Sequence, residues 1–342
     1  MALRPQEVIP PQRLSHLKRE SRGYPVIATV GRDAEGANFG AIDERRKLVL
    51  ATFDWCAVCG LPFGDEARWQ VLPHFGETPP PEEVGLAEAP VHEICAVYSA
   101  QVCPFLSSQG ARLGDDKRRG TRREETVQVV GYSRTKSVEA FRSSLQDDLF
   151  VLHFLHDKVI DSFAYSGPEE LKERYEDLLA AELRIEIPAA EKVLIDRFNA
   201  MSTPDEPTGD PGVVIAGAAV MIGAGFASDI FRVQGMRCFD ERGSYGLIAR
   251  QFLERSGLTE AAATFPDASG KAAAQWLLDK GDDVPAVLSL WRDLGKQRVS
   301  GRTIPKQRPV GPGRSVGKNT PCPCGSGRKA RRCHPAGVPE AL

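Results

Sequence analysis

The placement of cysteine constrains this chain more than any other feature. Its eight cysteines fall at 56, 59, 95, 103, 238, 322, 324 and 333, so most of them lie in two groups toward opposite ends of 342 residues. The C-terminal group sits in the stretch from Lys318 to His334, KNTPCPCGSGRKARRCH. Cys322 and Cys324 stand one residue apart, and the adjacent pair Cys333 and His334 follows after eight more. Three thiolates and an imidazole are a donor set that closes a tetrahedral structural zinc site. Gly325, Ser326 and Gly327 come directly after the first pair, where a chain wrapping a metal turns tightly and brings backbone N–H groups to sulfur. The stretch has almost no apolar side chains, so metal binding has to supply its folding energy.

The N-terminal group predicts a second site. Residues 44–55 carry apolar side chains at Leu48, Leu50, Ala51 and Trp55, a helical spacing, and deliver the chain to Cys56-Ala57-Val58-Cys59-Gly60. Two cysteines separated by two residues point at one metal, and the glycine supports the tight return. His92 and Cys95 lie three apart, so on a helix they share a face. Cys56, Cys59, His92 and Cys95 are therefore the expected ligands, the first pair on a ribbon and the second on a helix. Cys103 and His74 are the spare donors, and a redox pair is the alternative use of Cys56 and Cys59. The opening MALRPQEVIPPQRL has no apolar signal region, which with these cysteine spacings argues metal rather than disulfides and a reducing cytoplasm.

The C-terminal stretch resembles the SEC-C motif, the short zinc module at the C-terminus of the preprotein translocase ATPase and appended to many unrelated bacterial proteins. The likeness rests on Asn319, Pro321, Cys322, Pro323, Cys324, Gly325, Ser326, Gly327, Lys329, Cys333 and His334. Ala330 stands where that motif usually has an aromatic, and Pro335 where glycine is common. The resemblance implies zinc at the four ligands, while the two departures weaken any transfer of a partner-binding face. RGYPV at 22–26, CAVCG at 56–60 and HEICAVYSAQVCPFL at 92–106 resemble a family of actinobacterial and phage-associated proteins with no activity to carry over. That likeness implies that Cys56, Cys59, His92 and Cys95 belong together.

Charge separates the tail from the rest. Residues 296–334 hold eleven Lys and Arg and no Asp or Glu. Removing those eleven from 44 basic residues leaves 33 against 46 acidic ones, about −13 on the body. A basic tail on an acidic body meets something anionic, whether a protein face, a ribosome or nucleic acid. The one long apolar run, 212–228, is rich in Gly and Ala and shorter than the roughly 20 residues of a membrane span, so it reads as a buried helix.

Along the chain the pattern predicts an α+β fold, mostly α. It divides into an N-terminal zinc-binding module over 1–110, a charged loop and strand over 111–135, and a helical domain over 136–295. A basic Gly/Pro linker over 296–317 and the zinc motif over 318–335 complete it. Residues 1–20 read as a loose arm or short helix, 22–30 and 126–132 as strands. Helices are expected over 137–165, 168–183, 188–201, 212–228, 243–256, 269–280 and 284–295. On the helix expected over 137–165, His153 and Asp157 share one face, and with His156 they are weak catalytic candidates that evoke metal-dependent hydrolases; the plainer reading is a half-buried helix with histidines on its polar face, and no catalytic residue is assigned. Neither zinc site needs to be catalytic, because four protein ligands leave no open position. The preferred reading is a zinc-stabilised adaptor with two zinc ions; the alternative is an enzyme, such as a metal-dependent hydrolase, in the helical domain.

Overall fold

The structure is a computed structural model, and it describes residues 3–33, 36–73, 85–109, 111, 123–142, 150–200, 259, 263 and 268–285. Helices and strands are mixed in it. The N-terminal arm is pinned rather than loose. Val8, Leu14 and Leu17 are buried, and the N–H groups of Gln12 and Arg13 donate to the Glu182 carboxylate at 2.7 and 3.1 Å. The strand expected over 22–30 starts only at its end: β1 is Val30–Asp33 and pairs antiparallel with β2, Gly36–Ile42. Upstream, Pro25 has no N–H to give, while Val26, Ala28 and Thr29 donate to the carbonyls of Lys18, Val58 and Ala57.

Helix α1, Glu44–Phe53, ends at Asp54, whose φ of 55° is left-handed; the Trp55 N–H returns to the Leu50 carbonyl at 2.9 Å. Strand β3 is Arg68–Leu72, helix α2 is Glu93–Val102, and α3 is the single turn Pro104–Ser107.

The helix expected over 137–165 is replaced by strands. After β4, Val127–Tyr132, come β5, Thr135–Arg142, β6, Phe150–His156, and β7, Val159–Tyr165. β4 pairs antiparallel with β7, and β5 with β6. The register set by Val127↔Tyr165 holds to Gly131↔Asp161, slips by one residue between Gly131 and Tyr132, and is restored between Thr135 and Ser137, so that Val138 stands opposite Phe154. Ser133 donates to Lys158 and Asp157 to Arg134, each at 3.0 Å, across the junction. The four strands are thus one long hairpin, bent at residues 133–134. Leu152, Phe154 and His156 are buried while Val151, His153 and Leu155 are half-buried, the two-residue period of a strand. β3 adds to the far edge of β4, giving the order β3-β4-β7.

Helices α4, Lys172–Ala180, α5, Ala189–Asn199, and α6, Ala268–Lys280, complete the described elements, the first two near the starts expected from Pro168 and Pro188. Gly281, at φ 56°, follows α6. Phe53 stacks on Trp55 at 4.7 Å and meets Trp276 of α6 edge-on at 4.9 Å, while Trp55 meets Phe198 of α5 at 5.9 Å. The Trp55 indole N–H donates to buried Glu191 at 2.7 Å. One apolar core runs from Val8 to Val284 and contains Cys56, Cys59 and Cys95. It does not stop at residue 110. Among the described residues no helix is long and apolar enough to cross a membrane. The helices expected over 212–228 and 243–256, most of that over 284–295, the linker and the C-terminal motif lie outside the described residues.

Candidate metal centre

Residues 56–61 fold into a knuckle because the backbone closes on itself. The Gly60 N–H donates to the Cys56 carbonyl at 2.8 Å, and the Cys56 N–H to the Leu61 carbonyl at 2.9 Å. Gly60 sits at φ 72°, and a Cβ there would stand 3.3 Å from the Ala28 methyl, so both conformation and space call for glycine. Ala57 donates to the Pro90 carbonyl at 2.9 Å, tying the knuckle to the segment that leads into α2. His92 is the N-cap of α2 and Cys95 lies in its first turn, where unpaired N–H groups carry partial positive charge toward sulfur.

The ligating atoms of Cys56, Cys59, His92 and Cys95 all lie within 4.8 Å of one another, and all four residues are buried. A tetrahedron with metal–sulfur bonds near 2.3 Å has edges of about 3.8 Å, so the group matches that size. The thiols are free rather than disulfide-bonded. The N–H groups of Val58 and His92 both reach Cys56 Sγ at 3.4 Å. His92 Nδ1 is 3.4 Å from Cys59 Sγ, and its Nε2 is 3.2 Å from the Pro62 carbonyl. The Phe63 ring lies 4.6 Å from the imidazole.

The electrostatics of the group favour a cation. Burial opposes charge on Cys56, but hydrogen bonds from Cys59, Cys95 and His92 hold its thiol well below the usual range. Burial, and then the neighbouring sulfurs, push Cys59 and Cys95 well above it. Burial and the neighbouring sulfurs thus resist charge on Cys59 and Cys95; a divalent ion would let all three sulfurs serve as thiolates. Arg13, which no local pattern singles out, is buried nearby, with Nη1 3.1 Å from Glu66 and Nε 3.1 Å from Glu182. Burial works against its charge, but Glu66, Cys95 and Cys59 hold the guanidinium protonated.

Of the spare donors, Cys103 does not join the group: it caps the C-terminus of α2, and burial raises its thiol pKa. His74 and Cys238 lie outside the described residues. The catalytic candidates do not converge. His153 is half-buried on one side of β6, and His156 is buried on the other, stacked on Tyr132 at 4.6 Å. Asp157 sits at the bend, bonded to Arg134 at 3.0 Å. The shared helical face that suggested them is absent because the stretch is a strand. A cleft of about 850 Å³ opens beside the knuckle, lined in part by His16, Leu61, Arg184, Lys192 and Asp196. No second group of three or more metal-ligating side chains occurs among the described residues.

Comparison with known proteins bears on the other end of the chain. Residues 319–334 match the SEC-C motif. The protein translocase subunit SecA of Parabacteroides distasonis is 56% identical over 34 residues, 10% of this chain and 3% of that protein. The chain thus spans a small fraction of the length of the relative it matches. No solved structure matches it. The chain carries a SEC-C motif, and its 16 matched residues include Cys322, Cys324, Cys333 and His334.

Proposed function

We propose that this chain is a zinc-binding interaction protein. One zinc ion is held by Cys56, Cys59, His92 and Cys95 inside the body, and a second by Cys322, Cys324, Cys333 and His334 in the tail. The observation that carries the first site is the convergence of four buried donors within 4.8 Å. The SEC-C match carries the second. Both sites are structural, since four protein ligands fill the coordination sphere and leave no position for a substrate or water. The body's zinc ties the knuckle to α2, and the tail's zinc shapes an otherwise coreless segment. Free thiols at Cys56, Cys59 and Cys95 suit a reducing compartment such as the cytoplasm.

The tail is the recognition element in this reading. Its SEC-C motif points to a protein partner, and its eleven basic residues over 296–334 to an acidic face on that partner. The test is affinity capture with the full chain and with a version ending at Gly295. A partner retained by the full chain, lost on truncation and weakened by salt supports the reading. Capture of the same partner by both versions would contradict it.

A further inference from the structure

We infer that His92 joins the metal box through Nδ1, and that Pro62, Phe63 and Arg68 hold it in that orientation; this rests on the proposed metal reading of the box. Nε2 lies 3.2 Å from the Pro62 carbonyl oxygen, which only accepts hydrogen bonds. Nε2 therefore carries the proton, and in the neutral imidazole the lone pair is on Nδ1. That nitrogen is the one facing sulfur, 3.4 Å from Cys59 Sγ. Turning the ring over would set carbon against both the carbonyl and the thiolates, losing both interactions.

The ring is also held from its side. Phe63 packs against it with centroids 4.6 Å apart and planes at 48°. The Arg68 guanidinium covers the Phe63 ring, 4.8 Å from its centroid. Arg68 is itself fixed by the Asp54 carboxylate, by the Glu66 carbonyl and by the Gly64 carbonyl at 3.3 Å. Pro62 is placed by its bridge to Trp55, immediately before the knuckle. His92 is completely buried, and Phe63 is 2% exposed, so water does not compete for either contact. The brace thus runs from the end of α1 through Arg68 and Phe63 to the ligand. An outer partner of this kind fixes the tautomer and orientation of a metal-bound imidazole, and its loss costs about ten- to a hundredfold in metal affinity.

The test is nitrogen-15 NMR of the full chain labelled at histidine and loaded with cadmium-113, with His92 assigned through a His92→Cys variant that keeps a fourth donor. The expected result is a protonated Nε2 and a cadmium coupling at Nδ1. Coupling at Nε2, or cadmium on the three sulfurs with an uncoordinated His92, would overturn the inference and leave the metal site standing. Failure of Cys56 and Cys59 to bind cadmium would overturn the metal reading itself. Chelator-driven loss of the His92-coupled cadmium signal then tests the brace. Phe63→Ala is expected to speed it about tenfold or more, with Phe63→Tyr close to the parent. Equal rates in all three proteins would overturn the brace.

Discussion

His156 sits among histidines and an aspartate in sequence, yet its surroundings are those of a core residue. It is 3% exposed, its ring stacks on Tyr132, and the Gln70 amide donates to its Nε2 at 3.0 Å. Burial first, and then the positive charge of Arg68, push its pKa down from 6.5 to about 4. The unfolded chain takes up this proton below about pH 6.5, whereas the native protein resists it down to about pH 4. Stability linked to His156 is therefore complete above pH 6.5 and is lost as the pH falls toward 4, by about 3 kcal/mol in all. Urea unfolding at pH 7 and pH 4.5 checks this: the fall in stability is expected to shrink in His156→Gln. An equal fall in both proteins would contradict it. No feature of the local sequence announces this role, because the neighbours that bury His156 come from β3 and β4.

At the scale of elements, legibility followed punctuation and local chemistry. Helices α1, α4, α5 and α6 were readable from apolar spacing together with Pro168, Pro188 and Gly281. The knuckle was readable because Cys-x-x-Cys-Gly encodes its own turn. The hairpin was not. Phe141, Leu145, Leu149, Leu152, Leu155, Val159 and Phe163 recur at three- and four-residue steps that fit a helix, while Leu152, Phe154 and His156 also alternate as a strand does. Pairing decides between them, and the partner of β6 and β7 is the stretch Val127–Arg142, some distance away in sequence. On the other edge of β4, Gly131 marks a close approach to β3. A Cβ there would lie 2.9 Å from the Trp69 indole on the neighbouring strand. Gly131→Ala is expected to lower stability by about 1–3 kcal/mol in denaturant unfolding. An unchanged midpoint would show that Trp69 has room to move.

At the scale of the molecule, the metal box lies within the core rather than at its margin. Val8 in the arm, Trp55 beside the knuckle, Phe154 in the hairpin, Phe198 in α5 and Trp276 in α6 all belong to the core that holds the three cysteines. The arm could not be recognised as part of this body from its own residues, since Arg13 is fixed by Glu66 and Glu182, far along the chain. A zinc ion bound in such a place would support the whole body. Zinc binding at sites of this type contributes on the order of 10 kcal/mol to folding. The direct test is thermal unfolding, with zinc content measured alongside, of a full-length Cys322→Ser, Cys333→Ser double variant that lacks the tail site. This variant is expected to retain close to one zinc ion per chain, and a strong chelator is expected both to remove this ion and to lower the melting temperature of the body sharply. A zinc-free double variant that melts at the same temperature with and without chelator would contradict this.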